Sequence, residues 1–173
     1  VIVDIQCDYI KKELGNVRTG YADINALEDA FRIIAERISP ETLVLIETTV
    51  PPGMTENVAY PIMKKIFLHR GIESDPLLAH SYERVMPGRN YVASIRDFWR
   101  ICSGINEISK HRVIKFLSEV LNTKDYPLTV LDRPIESETA KIVENSYRAT
   151  ILAFMNEWSL FAERNGVDLI KVI

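Results

Sequence analysis

The order of apolar and polar positions along the chain predicts alternating strands and helices. Short apolar runs rich in β-branched residues at 1–5 and 43–47 have the density of buried parallel strands. Apolar residues recur with the helical period of about 3.6 over 24–38 and 55–69, and Pro61 interrupts the second pattern. Strands that alternate with helices in this way are typical of a doubly wound α/β sheet.

Less regular segments complete this picture. Residues 6–22 are polar and contain Gly15 and Gly20, so they predict a loop, after which Asp23 is placed to cap the first helix. The remaining elements before residue 135 follow the same periodicities. They are strands near 77–80, 99–103 and 128–131, and a helix over 106–121.

The segment from about 135 to 165 contains neither proline nor glycine and predicts one long helix. An uninterrupted helix of about 30 residues would be about 45 Å long. Its apolar residues cover more than one face, so we expect one face to pack on the α/β domain and another on a second subunit or a further domain. A homodimer through this helix is the expected assembly. The apolar residues are Ala140, Ile142, Val143, Tyr147, Ile151, Leu152, Phe154, Met155, Trp158, Leu160 and Phe161.

Composition narrows the classes of function. The 173 residues are 47% hydrophobic with a net charge of -3 and no basic stripe, which argues against a nucleic-acid partner. No apolar run approaches the roughly 20 residues that span a bilayer, and no leader opens the chain, so we expect a cytoplasmic protein. Cys7 and Cys102 are too few for a disulfide framework, and the histidines lack metal-ligand spacing, so no metal site is predicted. Val1 stands within a predicted strand, and we therefore expect a piece of a longer chain.

Two polar segments follow predicted strands. Residues 47–53 combine two threonines with a Pro-Pro-Gly turn at a strand end, where ligands of parallel sheets bind, although such residues also serve as simple turns. Residues 81–88 place Glu83 beside Arg84. The carboxylate suits a general base or a water holder, and the guanidinium suits a phosphate or carboxylate. A surface ion pair followed by a turn is the alternative.

A third polar segment opens the long helix. Lys141 and Asn145 are four residues apart and lie on one helical face, and Arg148 lies near that face one turn later. A lysine and an amide in this arrangement can polarise an oxygen and donate to a developing negative charge. The alternative is an ordinary solvated helix face.

Taken in order, these segments resemble motifs of the UDP-glucose/GDP-mannose dehydrogenase family, the nucleotide-sugar 6-dehydrogenases. The resemblance covers nearly all of the chain, and one departure is Tyr82, where the family usually has proline. It implies the second half of a Rossmann-like doubly wound sheet followed by a long central helix. In domain terms, 1–133 would be the C-terminal part of the NAD-binding domain and 134–173 the central helix and start of the middle domain. The matching motifs are Thr48-Thr49-Val50-Pro51, Ser81-Tyr82-Glu83-Arg84, Lys141-x-x-x-Asn145 and the stretch 145–157.

The resemblance also implies a reaction, in which the C6 hydroxyl of a UDP- or GDP-sugar is oxidised to a carboxylate in two hydride transfers to NAD. Thr49 and Glu83 would help to place the catalytic water, while Lys141 and Asn145 would hold and polarise oxygens at C6. Cys7 and the residue after it replace the family's Thr-Pro pair in the cofactor-side loop. The implied NAD contacts are Gln6, Cys7, Asp8, Thr48, Thr49 and Val50, and the implied substrate contacts are Glu83, Arg84, Val85, Lys141, Asn145 and Arg148.

The resemblance carries further expectations about substrate and completeness. Pro87 stands where UDP-glucose enzymes tend to have a second glutamate, which favours relatives acting on N-acetylated or otherwise modified sugars. The family's glycine-rich turn would precede Val1 and its nucleophilic cysteine would follow Ile173, so we expect these residues alone to be inactive. Two other interpretations stay open from the sequence. One is a β-hydroxyacid or 6-phosphogluconate-type dehydrogenase, which also carries Lys and Asn on a long helix, and the other is a non-catalytic dimerisation module.

Overall fold

The computed structural model describes residues 1–13, 19–85 and 88–173, so Pro87 lies outside the described residues. The chain divides into two compact units, Val1–Thr139 and Ala140–Ile173. The strands are β1 (Ile2–Val3), β2 (Tyr9–Ile10), β3 (Tyr21–Ala22), β4 (Leu43–Ile46), β5 (Leu77–Ser81), β6 (Ile101–Gly104) and β7 (Thr129–Val130). The helices are α1 (Asn25–Arg37), α2 (Tyr60–His69), α3 (Tyr91–Arg96), α4 (Glu107–Val120) and α5 (Pro134–Asn165), with a π-helical segment at Met54–Ala59 and a 3₁₀ turn at Leu169–Lys171.

A five-stranded sheet forms the centre of the first unit, in the order β1-β4-β5-β6-β7. Strands β1, β4 and β5 are parallel, as the apolar runs at 1–5 and 43–47 predict for the first two. Strand β6 runs antiparallel to β5, and β7 is parallel to β6. The hydrophobic pattern locates β6 but carries no information on its direction.

Helices cover both faces of this sheet. Because side chains alternate along a strand, Val44 and Ile46 point to the face covered by α1 and α2, while Leu45 points to the face covered by α4. Phe31 of α1 and Phe67 of α2 are fully buried in the first layer. The doubly wound α/β architecture predicted from the sequence is confirmed.

The polar segment 6–22 differs in part from the predicted loop. Strands β2 and β3 pair there as a small antiparallel sheet, in which Tyr9 lies opposite Ala22 and Ile10 opposite Tyr21. The prediction was wrong for these residues because two-residue, largely exposed strands are too short to show an alternating pattern. Beyond β3, the N-cap position of α1 is occupied by Ile24 rather than Asp23, although the Asp23 carboxylate accepts a hydrogen bond of 3.1 Å from the Asn25 N–H.

The predicted interruption at Pro61 takes a specific form. The backbone runs as a π-helix over Met54–Ala59 and continues without a break into α2, where Pro61 lies in the first turn. Short π-helical segments frequently occur at functional sites. This one directly follows the threonine-rich turn.

Helix α5 confirms the long helix predicted from the absence of proline and glycine. It extends from Pro134 to Asn165, with its first turn in the first unit and the remainder in the second. The helix ends at Gly166, whose φ of 63° lets the Val167 N–H return to the Ala162 carbonyl at 2.9 Å. Within the described ranges, no helix has the length and apolar character needed to cross a membrane.

Candidate functional site

Three predicted site segments follow neighbouring parallel strands. Residues 6–8 come after β1, 48–50 after β4, and 83–85 after β5. The pairing of β1 with β4 and of β4 with β5 extends to the strand ends, where the Glu47 N–H donates to the Val3 carbonyl at 2.9 Å. Because the carboxyl ends of parallel strands share one edge, the fold brings these segments to the same edge of the sheet.

The threonine turn combines buried and accessible residues. Thr48 is buried and Val50, 2% exposed, belongs to the main hydrophobic core, whereas Thr49 between them is half-buried. A contact from Val50 to a cofactor would therefore come from its backbone. Thr49 is the residue of this turn whose side chain is best placed to meet a ligand.

Glu138 fixes the far end of this turn. Its fully buried carboxylate accepts hydrogen bonds from the Gly53 N–H at 2.5 Å, the Thr55 N–H at 2.8 Å and the Thr55 hydroxyl at 2.7 Å. Burial raises the pKa of Glu138, and the hydrogen bonds from Thr55 and Gly53 oppose that rise. This residue was not predicted from the sequence, because an acidic residue in the first turns of a helix has no local mark that distinguishes it from a solvated one.

A buried arginine joins the site from the position directly before β6. Arg100, 4% exposed, places Nη1 3.2 Å from Glu47 Oε1 at the end of β4. Burial lowers the pKa of Arg100, while the carboxylates of Glu47 and Glu83 oppose that shift. Burial also raises the pKa of Glu47, against the effect of Arg100. The antiparallel direction of β6 brings this cation to the edge that carries both carboxylates, a placement not predicted from the sequence.

Contacts of Arg84 and Glu83 hold the loop after β5 in place. The Arg84 guanidinium lies over the rings of Tyr82 and Phe98, at 5.1 and 5.5 Å from their centroids. It donates to the Trp99 carbonyl and, at 3.2 Å, to the Tyr82 hydroxyl. The Glu83 carboxylate accepts a hydrogen bond from the Val85 N–H.

The segment after β1 is tied to the strand β3 region. The Cys7 thiol donates to the Asp23 carbonyl at 3.6 Å, and the Gln6 amide donates to the Asp8 carboxylate. The Asp8 carbonyl accepts from the Asp23 N–H at 2.8 Å. Partial burial, then the charges of Asp23 and Asp8, raise the pKa of Cys7, which favours a thiol over a reactive thiolate.

A buried polar cluster lies on the sheet behind the strand ends. His80 Nδ1 is 2.7 Å from Ser137 Oγ, which is also 2.7 Å from Ser103 Oγ and donates to the Pro134 carbonyl at 2.9 Å. Burial lowers the pKa of His80 from its ordinary 6.5 to about 4, with the Thr48 backbone opposing the shift. The imidazole is therefore neutral at pH 7.

This depressed pKa predicts an acid-sensitive fold. Between pH 6.5 and 4 the unfolded imidazole binds a proton that the folded one does not, so the free energy of unfolding falls as the pH falls. The total loss is about 3 kcal/mol, or roughly 1.4 kcal/mol per pH unit. Urea unfolding at several pH values should show this slope in the natural protein and lose it in His80→Asn. An equally steep acid slope in the variant would assign the effect to other groups.

The remaining predicted site residues belong to the second unit. Lys141 is half-buried, while Asn145 and Arg148 are exposed, and all three are on α5. The four-residue spacing of Lys141 and Asn145 places them on one helical face, as predicted. Arg148 Nη2 lies 3.1 Å from Glu144 Oε1 on the same helix.

Family models match both units of the chain. The model described as "UDP-glucose/GDP-mannose dehydrogenase family, NAD binding domain" matches residues 14–122. The model of that family's central domain matches residues 135–173. The two matches follow one another along this chain.

The individual proteins that this chain resembles are dehydrogenases of nucleotide-linked sugars by name. The chain is 32% identical over 151 residues to a UDP-N-acetyl-D-mannosamine dehydrogenase of Pyrococcus horikoshii, and the match covers 87% of this chain and 34% of that protein. It is 29% identical over 156 residues to the enzyme of the same name from Escherichia coli K12, with coverages of 87% and 36%. The crystal structure of an NDP-N-acetyl-D-galactosaminuronic acid dehydrogenase from Methanosarcina mazei Go1 aligns with a TM-score of 0.72 and 30% identity, over 99% of this chain and 34% of that one. This chain thus spans about a third of the length of these relatives.

Proposed function

Because this chain belongs to the UDP-glucose/GDP-mannose dehydrogenase family, we propose that the protein is an NAD-dependent nucleotide-sugar 6-dehydrogenase. It oxidises the C6 hydroxyl of a UDP-sugar to the carboxylate of a uronate. One structural observation carries this proposal: Thr49 and Glu83 follow adjacent parallel strands within the segment that the NAD-binding-domain model matches. The full reaction needs the longer protein, and we propose that these 173 residues alone do not turn over substrate.

The strand-end edge fits a dinucleotide. The segments 6–8 and 48–50 follow adjacent parallel strands and offer an amide, hydroxyls and backbone N–H groups. In the described part of the chain, the buried Ser81 hydroxyl at the end of β5 has no hydrogen-bond partner, so this edge retains an unmet polar group. The residues that would hold the cofactor are Gln6, Cys7, Asp8, Thr48, Thr49 and Val50. When bound, NAD supplies the acceptor for hydride from C6.

The proposed roles of the side chains follow from their chemistry. Thr49 and Glu83 hold a water molecule, and Glu83 accepts its proton as the water oxygen bonds to C6 of a thioester formed with the family's nucleophilic cysteine. The bond between C6 and sulfur then breaks, the sulfur leaves as thiolate, and C6 becomes the carboxylate carbon. Lys141 donates to the oxygen at C6 while negative charge develops there, and Asn145 donates through its amide. Arg84, Val85 and Arg148 are proposed substrate contacts, with the cationic side chains suited to phosphate or carboxylate.

We propose a UDP-linked N-acetylhexosamine as the substrate, with UDP-N-acetyl-D-mannosamine as the first candidate. The curated relatives from Pyrococcus horikoshii and Escherichia coli carry that name, and Pro87 supports the same choice. The test offers the full-length enzyme a panel of UDP- and GDP-sugars and follows NADH absorbance. Two NADH per molecule of one N-acetylated UDP-sugar is the expected result. Turnover of a β-hydroxyacid instead, with no nucleotide sugar oxidised, would replace this function by the hydroxyacid alternative.

We also propose a homodimer formed through α5. In the second unit, Tyr147, Phe154, Trp158 and Phe161 are between 46% and 70% exposed. Trp158 stacks edge-on with Phe154 and Phe161, at centroid distances of 6.2 and 5.5 Å. Burying such a surface is favourable by about 25 cal/mol per Å² of apolar area.

The dimer proposal predicts the behaviour of a charged variant. Trp158→Glu in the full-length protein should give monomer or aggregate, because the interface would then bury an unpaired carboxylate. Light scattering coupled to size-exclusion chromatography measures this, with Glu157→Gln on the neighbouring exposed position as the control. A Trp158→Glu protein that stays a dimer at micromolar concentration would refute an interface at this residue.

We propose a cytoplasmic location for the enzyme. Cys7 and Cys102 are both free thiols, and Cys102 is fully buried between the sheet and α4. Unpaired cysteines agree with a reducing compartment. Nucleotide sugars are the substrates proposed above, and a cytoplasmic enzyme would meet them directly.

A further inference from the structure

The helical segment after the threonine turn lacks a cap of its own. Its N-cap residue is Gly53, which has no side chain to accept a hydrogen bond from the first helical N–H groups. Gly53 has a φ of 91°, and a Cβ built on it would lie 2.6 Å from Asn57 Nδ2. The turn therefore favours glycine at this position over serine, threonine or aspartate, the usual capping residues.

Glu138 supplies the missing cap from a different part of the chain. Its two carboxylate oxygens accept the N–H groups of Gly53 and Thr55, 85 and 83 residues earlier, and the Thr55 hydroxyl as well. Thr55 and Glu138 are both completely buried, so water does not compete for these bonds. A carboxylate at a helix N-terminus also interacts favourably with the helix dipole.

This contact fixes one end of the segment that carries Thr49. The other end is fixed by the sheet, because Ile46 pairs with both Val3 and His80. Only the short stretch 47–52 lies between these two anchors, and it ends in two prolines, whose φ angles are restricted. The location of Thr49 therefore depends on Glu138 as directly as on the sheet.

We infer that Glu138 is a positioning residue, whose buried carboxylate caps the segment at Gly53 and Thr55 and thereby sets the place of Thr49 for cofactor and water. The inference rests on the proposed function, since Thr49 acts only in that reaction. Glu138 itself touches neither NAD nor sugar. Removing its carboxylate affects the reaction indirectly, by displacing Thr49.

The experiment compares Glu138→Gln with the natural full-length enzyme. The glutamine amide presents N–H groups to one of the donors, so at least one bond is lost while the volume is kept. Misplacement of a reacting group by about 1 Å can cost about 100-fold, and we expect a fall of that order in kcat/KM for NAD. Thr55→Val removes only the hydroxyl bond and should give a smaller fall, of a few-fold. The KM for the UDP-sugar should stay within about threefold in both variants.

A matched control separates positioning from loss of stability. Leu117→Ala removes a buried side chain of α4 that packs against the sheet, on the face opposite α1 and α2. Assayed well below its Tm, it should keep the natural kcat/KM for NAD even if its Tm falls as far as that of Glu138→Gln. An equal loss of kcat/KM in Leu117→Ala would mean that destabilisation alone explains the effect and would overturn the inference.

Hydrogen exchange measured without substrate tests the contact independently of activity. Peptides covering 47–59 should exchange faster in Glu138→Gln, while peptides of α4 stay unchanged. If exchange over 47–59 is unchanged in Glu138→Gln, the inference is overturned regardless of the kinetic result. It is also overturned if exchange becomes faster but kcat/KM for NAD stays within threefold of the natural value. If the natural enzyme oxidises no nucleotide sugar, the proposed function is wrong. The role of Glu138 is then tested by hydrogen exchange and by the Kd for NAD, each compared between Glu138→Gln and the natural enzyme. A Kd raised about tenfold in the variant would support that role, and an unchanged Kd would overturn it.

Discussion

Lys141→Ala in the full-length enzyme is expected to lower kcat for the UDP-sugar at least about 100-fold, the range lost when one oxyanion donor is removed. The reason is that the ammonium group is proposed to stabilise negative charge that develops on the oxygen at C6. Since this interaction strengthens in the transition state, kcat should fall far more than the KM for the sugar changes. Steady-state NADH formation with UDP-N-acetyl-D-mannosamine measures both constants.

A second lysine provides the control for the loss of a positive charge. Lys171, in the 3₁₀ turn after α5, is strongly exposed and pairs only with the nearby Asp168 in the described contacts. Lys171→Ala should keep the natural kcat. A Lys141→Ala enzyme that retains more than about a fifth of the natural kcat would remove Lys141 from the chemistry.

Glu83→Gln should lower kcat by about 100-fold or more, since general acid–base catalysis typically contributes a factor of about 100 to 10,000. Glutamine keeps the size of the side chain, and its amide oxygen can still accept the hydrogen bond from the Val85 N–H. That contact is therefore kept while the capacity to take a proton is lost. Stopped-flow and steady-state measurements of NADH formation should show that the step in which water attacks C6 has become slower.

The control for Glu83 is Glu73→Gln, a change of the same chemistry on an exposed residue before β5. It should leave kcat and both KM values unchanged. A Glu83→Gln enzyme within threefold of the natural kcat would show that this carboxylate neither holds the water nor accepts its proton.

The elements of the fold were predictable because their signal is local. The β-branched runs at 1–5 and 43–47 contain β1 and β4, and the absence of proline and glycine from 135 to 165 predicts α5 almost to its ends. A helix or strand needs only its own residues to show which of its faces is apolar. The same local signal fails for β2 and β3, which bury too little to leave a pattern.

The motifs around Thr49, Glu83, Lys141 and Asn145 were also found from the sequence, since each combines chemically suitable residues at short spacing. Their resemblance to one family gave the proposed reaction. The residues that hold these motifs in place could not be predicted from the sequence. Glu138 and Arg100 look like ordinary charged residues of a helix start and a strand start.

By itself, the sequence determined the order and type of the main elements, the two-sided burial of the sheet and the family to which the chain belongs. Only the tertiary structure decided that β6 runs antiparallel, which brings Arg100 to Glu47 across 53 residues. It likewise decided that Glu138 caps a turn 85 residues away. Hydrophobic periodicity shows that a face is buried but not which residues lie opposite it. A buried charge, in turn, is tolerated only where the fold brings a partner to it.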